Sequence, residues 1–391
     1  MKKVSLLLVG VGGYGAVSAD SIFKKGEQHD CYVEGIVEPY LENSRLKDEI
    51  AARKIPVYNT LEEFYSKHTA DLAIISTPIH LHADGCCYCM EHGSDVICEK
   101  PTAPTIQEAE RMKVCAEKTG KTLSIGFQLS HAPSILNMKK DIIDGVFGKC
   151  LGMVATICWP RNSVYFARPW AAKATINGQV LLDSIAMNAC AHYLHNMFFM
   201  LGDSIDSCAK PKTLGASVYR ANDIETYDTA FIEVETTDGV SLKFCATHAC
   251  ANNVQPRIRC EFEKGTIYIE ECGDDNAIKA VMKDGSEINY GATTQHRDNK
   301  LWMAMDIVRG LAKPVCTVDT AMSHLKCINA ISEFYKPEVF EKFETVNDCK
   351  AVAGIEAVLE EAYNTGKMPS LYKPEKLIDM TSYTKFGGLK A

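Results

Sequence analysis

Lys100 stands between an acid and a proline, in Glu99-Lys100-Pro101, directly after the apolar run Val96–Cys98. An amine at the end of a buried strand is a candidate for proton transfer, because burial and nearby positive charge draw its pKa toward neutrality. A second group of proton-handling side chains lies further on: Asn188, His192 and His195. On a helix their four- and three-residue spacings fall on one face, and histidine is the side chain best poised for proton transfer near pH 7. Asp183, five residues before Asn188, is expected at the entrance of that helix. Asn188 can orient a hydroxyl but cannot take its proton. Asp183 either supplies a carboxylate or caps the helix, and both readings stand. Plainer roles compete: a surface loop lysine for Lys100, and a satisfied, half-buried histidine for His195. A two-histidine metal site would need a third ligand such as Asp183 or His131, and its spacing is not H-E-x-x-H. No metal is expected.

The segment from Trp159 to Trp170 holds Arg161, Tyr165, Phe166 and Arg168. Aromatic faces with forked guanidinium groups suit a polyhydroxylated ring or an acidic sugar. The competing reading is a loop pinned by its aromatic residues.

Gly10-Val11-Gly12-Gly13-Tyr14-Gly15 matches G-x-G-x-x-G. It follows the buried-strand run Val4–Val9, opens a helix expected over Gly13–Lys25, and is followed by an acid, Glu38, at the end of the next strand. That context makes it a dinucleotide fingerprint. Gly10 allows the tight turn, Gly12 lets the backbone approach the pyrophosphate, and Gly15 allows close helix packing. The helix N-terminus favours the negative charge. Glu38 is expected on the adenosine ribose hydroxyls, where a carboxylate repels a 2′-phosphate, so the cofactor expected is NAD. Other strands also end in polar residues: Ser76, Thr77, Pro78, His80 and His82; then Glu99 and Lys100; then Gln128. Ligands of open parallel sheets bind outside these carboxyl ends. A lysine beside a cationic nicotinamide should have a lowered pKa.

The elements that must position these residues read as two textures. Up to about Phe127, short apolar strands alternate with helices, which predicts an α/β Rossmann domain over residues 1–127 with a parallel sheet and helices on both faces. Residues 128–391 predict an α+β domain with a largely antiparallel open sheet. Its strands are expected at Leu151–Trp159, Thr229–Thr236, Val240–Thr247, Ile258–Phe262 and Thr266–Glu270, with hairpin turns at Asp238-Gly239 and Lys264-Gly265. Helices are expected over Pro133–Asp144, Ser184–Leu201, Lys300–Leu311, Ala321–Phe334 and Cys349–Thr365, then an extended tail. One sheet face, carrying Phe231, Val234 and Phe244, is expected to be free and to join copies of the chain.

Bulk properties exclude some classes. The 391 residues carry a formal net charge of −8 without a basic block, a poor match to nucleic acid or an anionic membrane. No apolar run approaches the roughly 20 residues that span a bilayer. The 17 cysteines are odd in number and the opening MKKVSLLLVG reads as a strand rather than a signal sequence, so free thiols and a cytoplasmic location are expected. Cys86, Cys87, Cys89, His92 and Cys98 fit a packed helix and strand better than a zinc site.

The order G-x-G-x-x-G, acid at the second strand end, S-T-P-x-H-x-H, E-K-P and G-F-Q resembles the Gfo/Idh/MocA family along nearly the whole chain. The resemblance implies a nicotinamide cofactor, a carbohydrate or cyclitol substrate, catalysis by Lys100, and a homodimer or homotetramer joined through the second domain's sheet. The family commonly has an aspartate one turn before its catalytic histidine; Asn188 stands there here. Three functions follow: an NAD-dependent oxidoreductase acting on a secondary hydroxyl, a redox-neutral glycoside-cleaving enzyme, or a dinucleotide-binding sensor.

Overall fold

The computed structural model describes residues 2–270, 278–292 and 297–389. The chain divides into two compact units. One comprises Met1–Ala103, Gln107–His131 and Arg297–Val318; the other comprises Pro104–Ile106, Ala132–His296 and Asp319–Ala391. Arg297–Val318 thus returns to the first unit, which a single boundary after residue 127 does not capture.

The first unit carries β1 (Val4–Val9), α1 (Gly15–Lys25), β2 (Cys31–Val37), α2 (Lys47–Ala52), β3 (Val57–Tyr58), α3 (Leu61–Tyr65), β4 (Leu72–Ile75), α4 (His82–Glu91), β5 (Asp95–Glu99), α5 (Ile106–Thr119) and β6 (Leu123–Gly126). Its six strands are parallel and ordered β3-β2-β1-β4-β5-β6. All six residues of β1 are buried, as expected of a central strand covered on both faces. The order reverses between β1 and its two neighbours, so the loops after β1 and β4 flank the switch point where ligands bind such sheets. Val4, Leu6 and Leu8 pack with Ala16, Ala19 and Ile22 of α1. Cys86, Cys87 and Cys89 are buried on α4, serving as small apolar residues.

The second unit contains α6 (Pro133–Ile143), β7 (Cys150–Cys158), α7 (Ser163–Phe166), β8 (Thr175–Ile176), β9 (Gln179–Val180), α8 (Ala191–Met200), β10 (Pro211–Arg220), β11 (Thr229–Thr236), β12 (Ser241–Thr247), β13 (Val254–Phe262), β14 (Gly265–Glu270), β15 (Ile278–Met282) and β16 (Glu287–Gly291). Then α9 (Asn299–Val308) joins the first unit, where Leu301, Ala304 and Met305 complete the core of β1 and α1. The chain ends with α10 (Val318–Phe334), β17 (Glu338–Val339), β18 (Glu344–Val346), β19 (Cys349–Ala351), α11 (Ile355–Thr365) and β20 (Ile378–Asp379). The large sheet has ten strands, with β16-β15-β14-β13-β7-β12-β11-β10-β17 in order and β20 on β10. Both expected hairpins form. The sheet is mixed, because β7 runs parallel to β12 and β10 parallel to β17.

Three expectations change. The helix expected over Ser184–Leu201 is broken: Ser184 caps a wide π-type turn, Ile185–Ala189, and α8 begins only at Ala191. The N-terminal part of Cys349–Thr365 is strand, because Cys349–Ala351 pairs with Glu344–Val346 before α11 starts. Phe231, Val234 and Phe244 are fully buried within the chain. Phe231 lies under Ile355, Leu359 and Ala362 of α11, whereas Phe244, paired with Ile232, lies with Val234 on the opposite face of the sheet, so the three buried residues do not form one free apolar face. Among the described residues no helix is long and apolar enough to cross a membrane.

Candidate functional site

In the first unit the glycine turn is shaped by close approach. Gly10 has φ +85°, and a Cβ on it would lie 2.9 Å from the carbonyl oxygen of Ser76. A Cβ on Gly15 would lie 2.0 Å from the carbonyl oxygen of Gly10, so α1 can start against the strand end only without a side chain there. Gly13 has open space around it, and Gly12 meets only Glu38 Oε2 at 3.9 Å. This leaves room over the N-terminus of α1, where backbone N–H groups lack partners within the helix.

Glu38 is held firmly at the end of β2. Its Oε2 accepts from the Val11 amide at 2.9 Å and its Oε1 from the Tyr40 amide at 3.0 Å. After β4, Thr77 Oγ1 and His80 Nδ1 are buried without hydrogen-bond partners among the described residues. His82 is fully enclosed, with Nδ1 2.9 Å from Pro101 O and Nε2 2.9 Å from Thr77 O. It ties the loop after β4 to the loop after β5; burial lowers its pKa, against the pull of those carbonyls. An open glycine cradle, an anchored acid and orphaned polar atoms at a neighbouring strand end fit a dinucleotide. Gly10, Gly12, Gly13, Tyr14, Gly15, Glu38, Thr77, Pro78 and His80 are the residues that would hold it.

A buried network not visible in the sequence lies beside Lys100. Lys300, at the start of α9, forms an ion pair with Glu99; both are buried. Burial by itself would lower the Lys300 pKa, but Glu99 and Tyr14 leave it raised. Its ammonium sits 4.7 Å from the Tyr14 ring centre, and Tyr14 donates to Gln128 Oε1 at 2.8 Å. Glu99, Tyr14 and Gln128, all expected near the cofactor, are thus tied together by a lysine that reads as an ordinary helix residue. His131 is buried and held down to about 4 by its burial, hence neutral at pH 7.

The second unit gathers the other candidates. Asp183 is buried and accepts from the Ala172 amide at 2.5 Å and from Asn188 Nδ2 at 2.8 Å. Its carboxylate therefore organises the turn before α8, while Ser184 does the capping. π-type turns of this kind concentrate at functional positions. His192 is half-buried at the start of α8; His195 is fully buried and stacks on Phe199 at 6.0 Å, a packing position without exposed surface.

The Trp159–Trp170 segment joins a histidine that sequence reasoning missed. His248 follows β12, whose parallel partner β7 ends beside Trp159. Its Nδ1 donates to Trp159 O at 2.7 Å. Burial and the nearby charges of Arg161 and Arg168 push its pKa down to about 3, so it is neutral. Arg168 lies 3.7 Å from the Tyr165 ring centre and Arg161 5.0 Å from it. Trp159 meets Tyr193 of α8 edge-on at 5.8 Å. Among the described residues no group of three or more His, Cys, Asp or Glu side chains is arranged to hold a metal ion.

Comparison with known proteins agrees with this architecture. Residues 4–127 match the family described as oxidoreductase family, NAD-binding Rossmann fold. The chain is 31% identical over 152 residues to 2,7-anhydro-N-acetylneuraminate hydratase of Mediterraneibacter gnavus, covering 39% of this chain and 38% of that one. It is 30% identical over 147 residues to the NADP(+) scyllo-inositol 2-dehydrogenase of Bacillus subtilis, covering 37% and 39%. The aligned part spans half or less of the length of such curated relatives. Among solved structures, an Agrobacterium radiobacter oxidoreductase in complex with NAD+, L-tartaric acid and magnesium superposes with a TM-score of 0.71 at 15% identity, covering 97% of this chain and 99% of that one. The WlbA dehydrogenase of Bordetella pertussis, in complex with NADH and UDP-GlcNAcA, gives 0.71 at 20% identity, covering 84% and 94%. The fold is shared across both units, and residues 4–127 match the family model of the Gfo/Idh/MocA oxidoreductases, which describes their NAD-binding Rossmann domain.

Proposed function

We propose that the protein is an NAD-dependent oxidoreductase acting on a secondary hydroxyl of a sugar, glycoside or inositol. The observation that carries this reading is Lys100 itself. It directly follows the buried Glu99–Lys300 pair at a strand end, in the same unit as the glycine turn and Glu38. With Glu99 engaged by Lys300, the acid next to Lys100 in sequence is already neutralised. NAD, when bound, supplies the hydride acceptor. The residues of the chain handle the proton and the substrate: Lys100 is the acid–base candidate of the first unit and His192 that of the second, each suited to taking a hydroxyl proton or stabilising a developing alkoxide. Asn188, held by Asp183, orients the hydroxyl. Gln128 assists in the first unit, and Trp159, Arg161, Tyr165 and Arg168 contact the substrate in the second.

Incubation of the protein and NAD with a panel of sugars and cyclitols, followed at the reduced-nicotinamide absorbance band, tests the proposal. Substrate-dependent absorbance supports it. A second reading, oxidation and re-reduction around an elimination with no net redox change, is favoured by the relative named as a hydratase. Product formation without accumulated NADH, yet requiring NAD, selects it. Dinucleotide binding with no product from any sugar returns the protein to the sensor class.

A further inference from the structure

In the second unit Arg161 and Arg168 form no ion pair among the described residues, and the buried Asp183 carboxylate acts on the same Tyr165 that they lie against. Arg45, Arg53, Arg257 and Arg309 pair with Asp20, Glu49, Glu360 and Asp306. Arg161 and Arg168 have no carboxylate partner among the described residues, and Arg161 Nε and Arg168 Nη2 are buried without an acceptor. Both guanidinium groups nevertheless lie against one ring, that of Tyr165. Arg168 also stacks 4.2 Å from the Trp170 ring centre, and Arg161 lies 5.5 Å from that of Trp159. Like charges gathered this way repel one another, and the burial of donors without acceptors costs further free energy. A bound anion offsets both.

A third group shows what the rest of that ligand must offer. His248 is 2% exposed and meets the Tyr165 ring at 5.6 Å and the Phe166 ring at 6.4 Å. Since Nδ1 donates to Trp159 O, the neutral ring presents a lone pair at Nε2. That nitrogen is buried with no donor among the described residues. A hydroxyl group satisfies it. Forked cations, aromatic faces and a hydroxyl acceptor together describe an acidic carbohydrate. Carboxylate and phosphate both match a guanidinium fork; the surroundings here are aromatic faces rather than backbone amides, which suits the smaller charge of a carboxylate.

We propose that this cluster is a subsite for a sugar bearing a carboxylate, held by Arg161 and Arg168, with a ring hydroxyl donating to His248 Nε2. The inference rests on the carbohydrate reading above and narrows it to uronic- or ulosonic-acid substrates. The test uses the full chain with NAD present. D-glucuronate, D-galacturonate and N-acetylneuraminate are each titrated by calorimetry against the corresponding methyl ester, with glucose 6-phosphate as the phosphate arm. At least one acid should bind about tenfold or more tighter than its ester, the gain expected of charge-assisted hydrogen bonds. Arg161→Gln and Arg168→Gln should each remove that preference, and Arg168→Lys should keep part of it. Thermal melts and NAD titration check the fold; should Arg168→Gln not fold, Arg161→Gln and Arg168→Lys carry the comparison. The proposal is overturned if no acid is preferred over its ester, if the preference survives in the variants, or if the sugar phosphate binds best. NADH formation is read separately. Acids that bind through the arginines while no sugar is turned over would sink the oxidoreductase reading and keep the subsite. Turnover of neutral sugars without acid preference would do the reverse.

Discussion

Glu99 and Lys300 are separated by 201 residues in sequence and form a buried ion pair beside Lys100. Breaking such a pair leaves one uncompensated charge in the interior, which costs about 3–5 kcal/mol. Lys300→Met should therefore destabilise the first unit by that order in urea unfolding. The double variant Glu99→Gln/Lys300→Met should recover part of the loss, because no charge is then left alone. A loss below about 1 kcal/mol for Lys300→Met would show that Glu99 is solvated or paired elsewhere.

Cofactor choice should follow Glu38. Its carboxylate is fixed by the amides of Val11 and Tyr40, so it cannot swing away easily from a 2′-phosphate. NAD should bind more tightly than NADP, and Glu38→Ala should narrow the gap. Tighter NADP binding by the unmodified protein would contradict the assignment of Glu38.

Much of the first unit was legible because its signals are local. A glycine motif, the apolar run before it and the acid after the next strand all lie within the first 38 residues. The Lys300 network was not legible, since nothing near Lys300 in sequence announces a partner two hundred positions away. His248 was missed for a related reason: it follows an ordinary strand, and its meaning comes from β7 lying parallel to β12. Strand β10 was missed because most of it is buried on both faces, which removes the alternation that marks a half-exposed strand. The expected free sheet face failed because α11 covers Phe231, and because Phe231 is three residues from Val234 on one strand, so the two point to opposite faces; alternation also does not show what covers a face.

Asp183 links two local structures, the Ala172 amide and the Asn188 side chain. Asp183→Asn should lower stability by about 1–3 kcal/mol, measured by thermal or urea unfolding, and should also reduce turnover by releasing Asn188. Unchanged stability with lost turnover would instead make Asp183 a direct participant in proton transfer.

Acid should destabilise both units through their buried histidines. Burial holds His131 down to about 4 and His248 to about 3, against 6.5 in the free side chain. The unfolded chain therefore binds more protons below pH 6.5, and stability present above that pH is lost as the pH falls toward 4. Each histidine accounts for on the order of 2 kcal/mol at pH 5. In unfolding curves taken from pH 7 to pH 4.5, His131→Gln and His248→Gln should each flatten the decline. A decline of unchanged steepness in both variants would assign it to other groups.

The central claim is that Lys100 carries proton transfer in an NAD-dependent oxidation, and turnover of Lys100→Met beside its NAD affinity tests it most directly. General acid–base catalysis contributes about 10²–10⁴-fold, so turnover on the substrate found in the sugar panel should fall by at least ~100-fold. NAD affinity should stay close to that of the unmodified protein, because the glycine turn and the N-terminus of α1 hold the pyrophosphate. Near-normal turnover would remove Lys100 from the chemistry, and loss of NAD binding would make it a cofactor anchor and leave proton transfer to His192.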